Sequence, residues 1–284
     1  MQANSSPSSC GRARGAGLAL LAASLSSCAG APTLADAPPE VAAGRGNTLF
    51  ADYSDNRLVE VDRGGEQVWA MDEVFGAWDV ERLPTGNTLV VEFSVSRVRE
   101  VDPQGAVVWS YEDLKNPYAA SRLPDGTTLI ANTFGSDVRA VDAAGEVVWK
   151  YDDGIRPFDA EQTAAGTVLI CDVLHDQVIE VDRGKQIVWR VTGMPNAHDA
   201  DRLPDGNTLI TLRNRGEVVE VDASGRQVWK LSGLISPSDA DRLPSGNTLV
   251  AENTRVAEYD RDGEIVWQRD ATWCVEANRL PAAR

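Results

Sequence analysis

Residues 208–212 read Thr-Leu-Ile-Thr-Leu, a short apolar run of the kind a buried strand shows. Residues 217–222 read Glu-Val-Val-Glu-Val-Asp, mixing apolar and acidic positions as a half-buried strand does. Ahead of them stand His-Asp-Ala-Asp-Arg-Leu (198–203) and the turn Pro-Asp-Gly-Asn. Behind them stand the turn Ala-Ser-Gly-Arg (223–226) and Gln-Val-Trp-Lys-Leu. Proline opens such a turn and glycine supplies the positive φ it needs. Residues 198–231 therefore predict four short strands in succession. No stretch beyond the N-terminal segment carries a helical period.

The same pattern recurs along the chain. A Thr-Leu or Val-Leu pair falls at 48, 88, 128, 168, 208 and 248, a spacing of 40 residues each time. A Val-Trp step ends each unit at Trp69, Trp109, Trp149, Trp189, Trp229 and Trp267. Units of about 40 residues with four strands each are the signature of a β-propeller, because one such unit cannot bury both its faces alone. The first unit lacks its first strand, and the C-terminal Arg279-Leu280-Pro281 matches Arg82-Leu83-Pro84. The expectation is an all-β, six-bladed propeller over 46–284, closed by the C-terminal strand pairing into the N-terminal blade.

Charge narrows the partners. The formal net charge is −16, which disfavours nucleic acid and electrostatic docking on anionic lipid. At the N-terminus, Arg12 and Arg14 precede a short apolar stretch that ends Leu25-Ser26-Ser27-Cys28. This looks like a bacterial lipobox, with residues 1–28 as signal peptide and Cys28 as the lipidated residue; the alternative is ordinary secretory cleavage near Ala29–Ala31. Residues 29–45, rich in Ala and Pro, read as a tether. The expected location is the bacterial envelope, at its periplasmic or extracellular face, with the anchor in a membrane and the chain a monomer. Cys171 and Cys274 fall in distant units and are expected to be free thiols.

Repeat copies also serve as internal controls. The first strands share an acidic column, Asp79, Asp159, Asp199, Asp239 and Glu276, with Ala119 as the exception. Two residues on lie Glu81, Glu161, Asp201, Asp241 and Asn278, with Ser121 as the exception, and then a column of arginines in which Gln162 is the exception. First strands line a propeller axis, so these columns predict rings. They read as an inter-blade ladder of Asp–Arg pairs, or else as a site for a hard cation such as calcium. The arginines repeat as regularly as the acids and favour the structural reading. No cofactor and no transition-metal site is expected. His175 reads as a surface residue.

Just before the acids the column varies: Trp78, Tyr118, Phe158, His198, Ser238, Val275. Two residues earlier stand Gly76, Asn116, Arg156, Asn196, Ser236 and Trp273. These positions should gather at one mouth of the channel. Aromatics, amides, one Arg and one His make the chemistry of a ligand pocket. Trp78, Asn116, Tyr118, Phe158, Asn196 and Trp273 are its expected lining, against the alternative of a solvated rim.

The phrases His198-Asp-Ala-Asp-Arg-Leu-Pro-Asp-Gly-Asn-Thr-Leu-Ile and Val221-Asp-Ala-Ser-Gly-Arg-Gln-Val-Trp-Lys resemble the arylsulfate sulfotransferase family and its wider group of quinoprotein-like propellers. That resemblance implies an exported propeller moving a sulfuryl group between phenols. Carried over, His198 would be the nucleophile and Arg156 a holder of sulfuryl oxygens. The mouth offers one histidine where the family uses several. The leading expectation is therefore a lipid-anchored module binding a small molecule or an envelope protein. Sulfuryl transfer through His198 and a purely structural assembly role are the alternatives.

Overall fold

A computed structural model describes residues 46–281. The segment expected to hold the signal peptide, Cys28 and the tether lies outside those residues. The first blade contains β1 (Thr48–Asp52), β2 (Arg57–Val61) and β3 (Gln67–Met71). The second is β4 (Ala77–Arg82), β5 (Thr88–Glu92), β6 (Arg97–Val101) and β7 (Val107–Tyr111). The third is β8 (Ala119–Arg122), β9 (Thr128–Asn132), β10 (Asp137–Val141) and β11 (Val147–Tyr151). The fourth is β12 (Pro157–Gln162), β13 (Val168–Asp172), β14 (Gln177–Val181) and β15 (Ile187–Thr192). The fifth is β16 (Ala197–Arg202), β17 (Thr208–Leu212), β18 (Glu217–Val221) and β19 (Gln227–Ser232). The sixth is β20 (Asp239–Arg242), β21 (Thr248–Glu252), β22 (Arg255–Tyr259) and β23 (Ile265–Asp270), after which β24 (Cys274–Arg279) joins the first blade.

The architecture is a six-bladed propeller of four-stranded antiparallel sheets. In the first blade the order is β24-β1-β2-β3, with Thr48 opposite Arg279 and Phe50 opposite Ala277. The tail thus supplies the strand that the head lacks. Second strands are buried on both faces throughout, which is why they carry continuous apolar runs such as Thr208–Leu212. Each blade-to-blade core packs one sheet on the next. The residues around Leu129, Val138, Ile170 and Ile179, for example, join the third and fourth blades. Cys171 and Cys274 are buried free thiols.

The arginine column corrects the expected Asp–Arg ladder. Side chains alternate along a strand, so an arginine one residue past an axial acid leaves on the opposite face. Arg82 reaches Glu60 of the preceding blade at 3.0 Å and lies 4.6 Å from the centre of the Trp69 ring. Arg122–Glu100–Trp109, Arg202–Glu180–Trp189, Arg242–Glu220–Trp229 and Arg279–Glu258–Trp267 repeat the arrangement. The repeat tryptophan is therefore the platform for the next blade's guanidinium. Between the third and fourth blades the arginine is Gln162, and its partner position is Ala140. Both halves of the brace are missing together.

A second paired departure fixes the crossing loops. At the end of the second strand in five of the six blades a buried polar side chain accepts an amide of the loop entering that blade. Glu92 takes Phe75 N–H at 3.2 Å, Asn132 takes Lys115 N–H at 2.7 Å, and Asp172 takes Arg156 N–H at 3.0 Å. In the fifth blade the acceptor's position is taken by Leu212, and the matching loop residue is Pro195, which has no N–H to satisfy.

Candidate ligand site at the channel mouth

Inner strands reach the mouth through a bulge. Ala197 pairs with Leu212 and Asp199 with Thr211, so His198 has no partner in β17. Trp78 is skipped in the same way between Ala77 and Asp79. A bulge re-aims side chains, which puts the variable residue and the following acid side by side on the channel.

Four of these variable residues pack into one arc. Trp78 stacks on Tyr118 with ring centres 4.2 Å apart, and Tyr118 meets Phe158 at 4.6 Å. His198 meets Phe158 at 5.1 Å and lies 6.0 Å from both Trp78 and Tyr118. Ser238 and Val275 complete the ring with small side chains. Beneath the arc is a cavity of about 170 Å³, lined by these residues and by the axial acids.

His198 is 6% exposed. Its Nδ1 lies 3.0 Å from Ser238 O, and because a carbonyl only accepts, Nδ1 carries the proton and Nε2 is bare. Burial, with the Arg213 charge added, pushes its pKa down to about 3.

Arg156 lies beside this arc, close enough for its charge to act on Tyr118. Its side chain is exposed, with the guanidinium 5.7 Å from the Phe134 ring centre. Asn116 and Asn196 take left-handed backbone, φ 42° and 54°, which asparagine tolerates better than most residues. Asn116 Nδ2 donates to Phe93 O at 2.8 Å. Trp273 joins through Tyr53, with ring centres 4.8 Å apart, and Tyr53 in turn meets Trp78 at 5.1 Å. His175 is half-exposed and bonds Asp172 at 2.6 Å.

A further column at the mouth went unread in the sequence: Tyr53, Phe93, Thr133, Val173, Arg213 and Asn253, each just past a second strand. Its variability across blades was the available signal. Phe93 meets both Trp78 and Tyr118 at 5.3 Å. Arg213 Nη1 donates to Ser236 O at 2.9 Å and to Ser238 Oγ, and Nη2 to Asn253 Oδ1 at 3.2 Å. It has no carboxylate partner among the described residues.

The axial acids below bridge neighbouring blades. Asp79 accepts Ala120 N–H at 2.6 Å, Asp159 accepts Ala200 N–H at 3.4 Å, Asp199 accepts Ala240 N–H at 3.2 Å, and Asp239 accepts Ala277 N–H at 3.0 Å. Glu81 and Glu161 do the same for Arg122 and Arg202 N–H. An inner strand has a free edge, and these carboxylates satisfy its amides. Glu276 instead accepts from Asn278, whose amide also donates to Val80 O. Burial raises their pKa values, and neighbouring carboxylates add to it except at Asp241, where Arg279 opposes it: Asp79 to about 7, Asp159 to about 8, Asp241 to about 6, and Asp199, Asp201, Asp239 and Glu276 well upward. Among the described residues no three His, Cys, Asp or Glu side chains are arranged to hold a metal ion.

Comparison with known folds fits this architecture. A protein of unknown function from Bacteroides caccae superposes with a TM-score of 0.71 at 18% identity, over 81% of this chain and 97% of that one. Virginiamycin B lyase from Staphylococcus aureus does so with a TM-score of 0.61 at 10% identity, over 79% and 80%. Hydrazine synthase from Kuenenia stuttgartiensis gives 0.58 at 17%, over 82% and 81%. At such identities the likeness is one of fold. No curated protein sequence matches the chain. A family profile described as outer membrane protein assembly factor BamB matches twice, over residues 27–167 and 135–282. The chain therefore belongs to the PQQ-like repeat propeller family of that assembly factor.

Proposed function

We propose that this chain is a lipid-anchored propeller of the bacterial envelope that binds a small molecule at its channel mouth without transforming it. The observation that carries the reading is the cavity beneath Trp78, Tyr118, Phe158 and His198. It is lined by side chains that differ from blade to blade on an otherwise repeated frame. The family description, an assembly factor of the outer membrane, supports an envelope setting, and Leu25-Ser26-Ser27-Cys28 supports an acyl anchor. Sulfuryl transfer is the weaker reading. It needs several groups to hold sulfuryl oxygens beside the histidine, and the Arg156 guanidinium expected in that role is turned to Phe134.

The test has two parts. Mass spectrometry of the protein expressed in bacteria should find an N-terminus at Cys28 carrying acyl chains. Ligand-observed NMR of the purified protein with a chemically broad fragment set should find binders whose signals vanish in Trp78→Leu. A set in which no fragment depends on Trp78 defeats the mouth as a binding site.

A further inference from the structure

We infer that the cavity under the aromatic arc seats the ammonium head of a small organic cation. This rests on the reading of the mouth as a binding site and names its ligand class.

Three features converge. First, the cavity is lined by Trp78, Tyr118 and Phe158 as well as by carboxyl groups, and aromatic rings attract an organic cation within about 6 Å. Second, the polar groups below the arc are mostly carboxyl groups on which burial holds protons, and a seated cation would displace those protons and leave acceptors. His198 has its donor committed to Ser238 O, which leaves Nε2 to accept. Asp239 is 5% exposed; Oδ2 takes the Ala277 amide, and no described group meets Oδ1. Asp201 and Asp241 line the same space, and the Arg279 charge acts on Asp241. Asn278 gives its amide protons to Val80 O and Glu276, and Ser238 Oγ faces Arg213. Third, the inner-strand arginines leave on the opposite face to Glu and Trp of the preceding blade, so their charge offsets only part of the ring, reaching Glu81, Glu161 and Asp241. The net charge of −16 favours the arrival of a cation over that of an anion.

Size restricts the guest. About 170 Å³ is below the roughly 300–1,000 Å³ of a drug-sized site. It fits a trimethylammonium or similar head group, with the rest of the ligand leaving past Ser238 and Val275, where the aromatic arc is interrupted. The Arg213 guanidinium at that side disfavours a second positive charge on the tail.

The test is calorimetric titration of the purified protein with choline, with its uncharged isostere 3,3-dimethyl-1-butanol, with benzoate and with sodium chloride as competitor. Choline should bind at least ten-fold more tightly than the isostere. Asp201→Asn/Asp241→Asn should weaken choline at least five-fold with the unfolding midpoint retained. Trp78→Leu should do likewise, and a perturbed tryptophan emission on titration gives a readout that needs no variant. Equal affinity for choline and its isostere overturns the inference and leaves an apolar binding mouth standing. Preferred binding of benzoate does the same. Full displacement by equimolar sodium also overturns it, because the carboxylates alone would then hold the charge. Absence of choline binding, in a protein whose mouth binds other fragments, rejects the ligand class but not the site.

Discussion

Arg242 Nη2 stands 2.9 Å from Glu220 Oε2 across a blade seam, with its guanidinium carbon 4.4 Å from the centre of the Trp229 ring. The same triplet ties five of the six seams. Glu220 is buried and without Arg242 would still keep Arg261 at 3.0 Å and Asn207 at 2.7 Å, so Arg242→Ala should cost about 1–2 kcal/mol, below the roughly 3–5 kcal/mol of a buried pair broken outright. Urea denaturation of the two proteins measures it; a loss below about 0.5 kcal/mol would show that the tie is ornamental.

The third-to-fourth seam offers the converse experiment. Ala140→Glu alone and Gln162→Arg alone each introduce a lone charge and should destabilise. Made together they should recover, with a coupling of about 1–3 kcal/mol in a double-mutant cycle. Zero coupling would mean that this seam differs from the others in backbone geometry as well as in side chains.

The axial ring makes stability depend on pH. Asp79, Asp159 and Asp241 have folded pKa values of about 7, 8 and 6, above an unfolded value of about 3.9. The folded ring holds protons that the unfolded chain has released. Its contribution is fully present below pH 4 and is lost as pH rises through about 6 to 8. His198 acts in the other direction: its folded pKa of about 3 lies below an unfolded value of about 6.5, so its contribution is present above pH 6.5 and fades toward pH 3. The unfolding midpoint should therefore fall between pH 6 and pH 8.5, and Asp79→Asn/Asp159→Asn should flatten that fall. A midpoint that climbs across this interval contradicts the assignment.

Cys171 and Cys274 are wholly buried, and burial pushes both thiols well above their ordinary range. A maleimide should label neither in the folded protein and both in denaturant. Fast labelling of either under native conditions would require a seam to open on the timescale of the reaction.

A chromogenic aryl sulfate offered with a phenol should show no turnover above buffer. Turnover that His198→Ala abolishes would restore sulfuryl transfer as the function.

Much of this was legible in the primary structure, for reasons that can be named. The 40-residue recurrence of Thr-Leu and Val-Trp gave six blades because each blade repeats one burial problem. Arg279-Leu280-Pro281 gave the closure because it repeats Arg82-Leu83-Pro84. Trp78, Tyr118, Phe158 and His198 stood out as a variable column, and the structure brings them into contact. The destination of the arginines was misread because two columns one residue apart look like partners on paper, while a pleated strand sends them to opposite faces. Single exceptions such as Gln162, Ala140, Leu212 and Pro195 are uninformative until the fold shows which two meet. Arg213 escaped because its column sits in a turn past the second strand, where no strand period draws attention to it.

Thr48 and Arg279 lie side by side, yet they sit at opposite ends of the described chain. A ribosome releases the first of them long before the last has been made. Until that final strand emerges, the edge of β1 has no neighbour on its channel side, and five finished blades have nothing to close against. Completion of the toroid thus waits on β24 and is limited by a contact of high sequence separation, a kind that forms slowly. Any factor that guards the nascent polypeptide has one place above all to cover, the exposed flank of Thr48–Asp52.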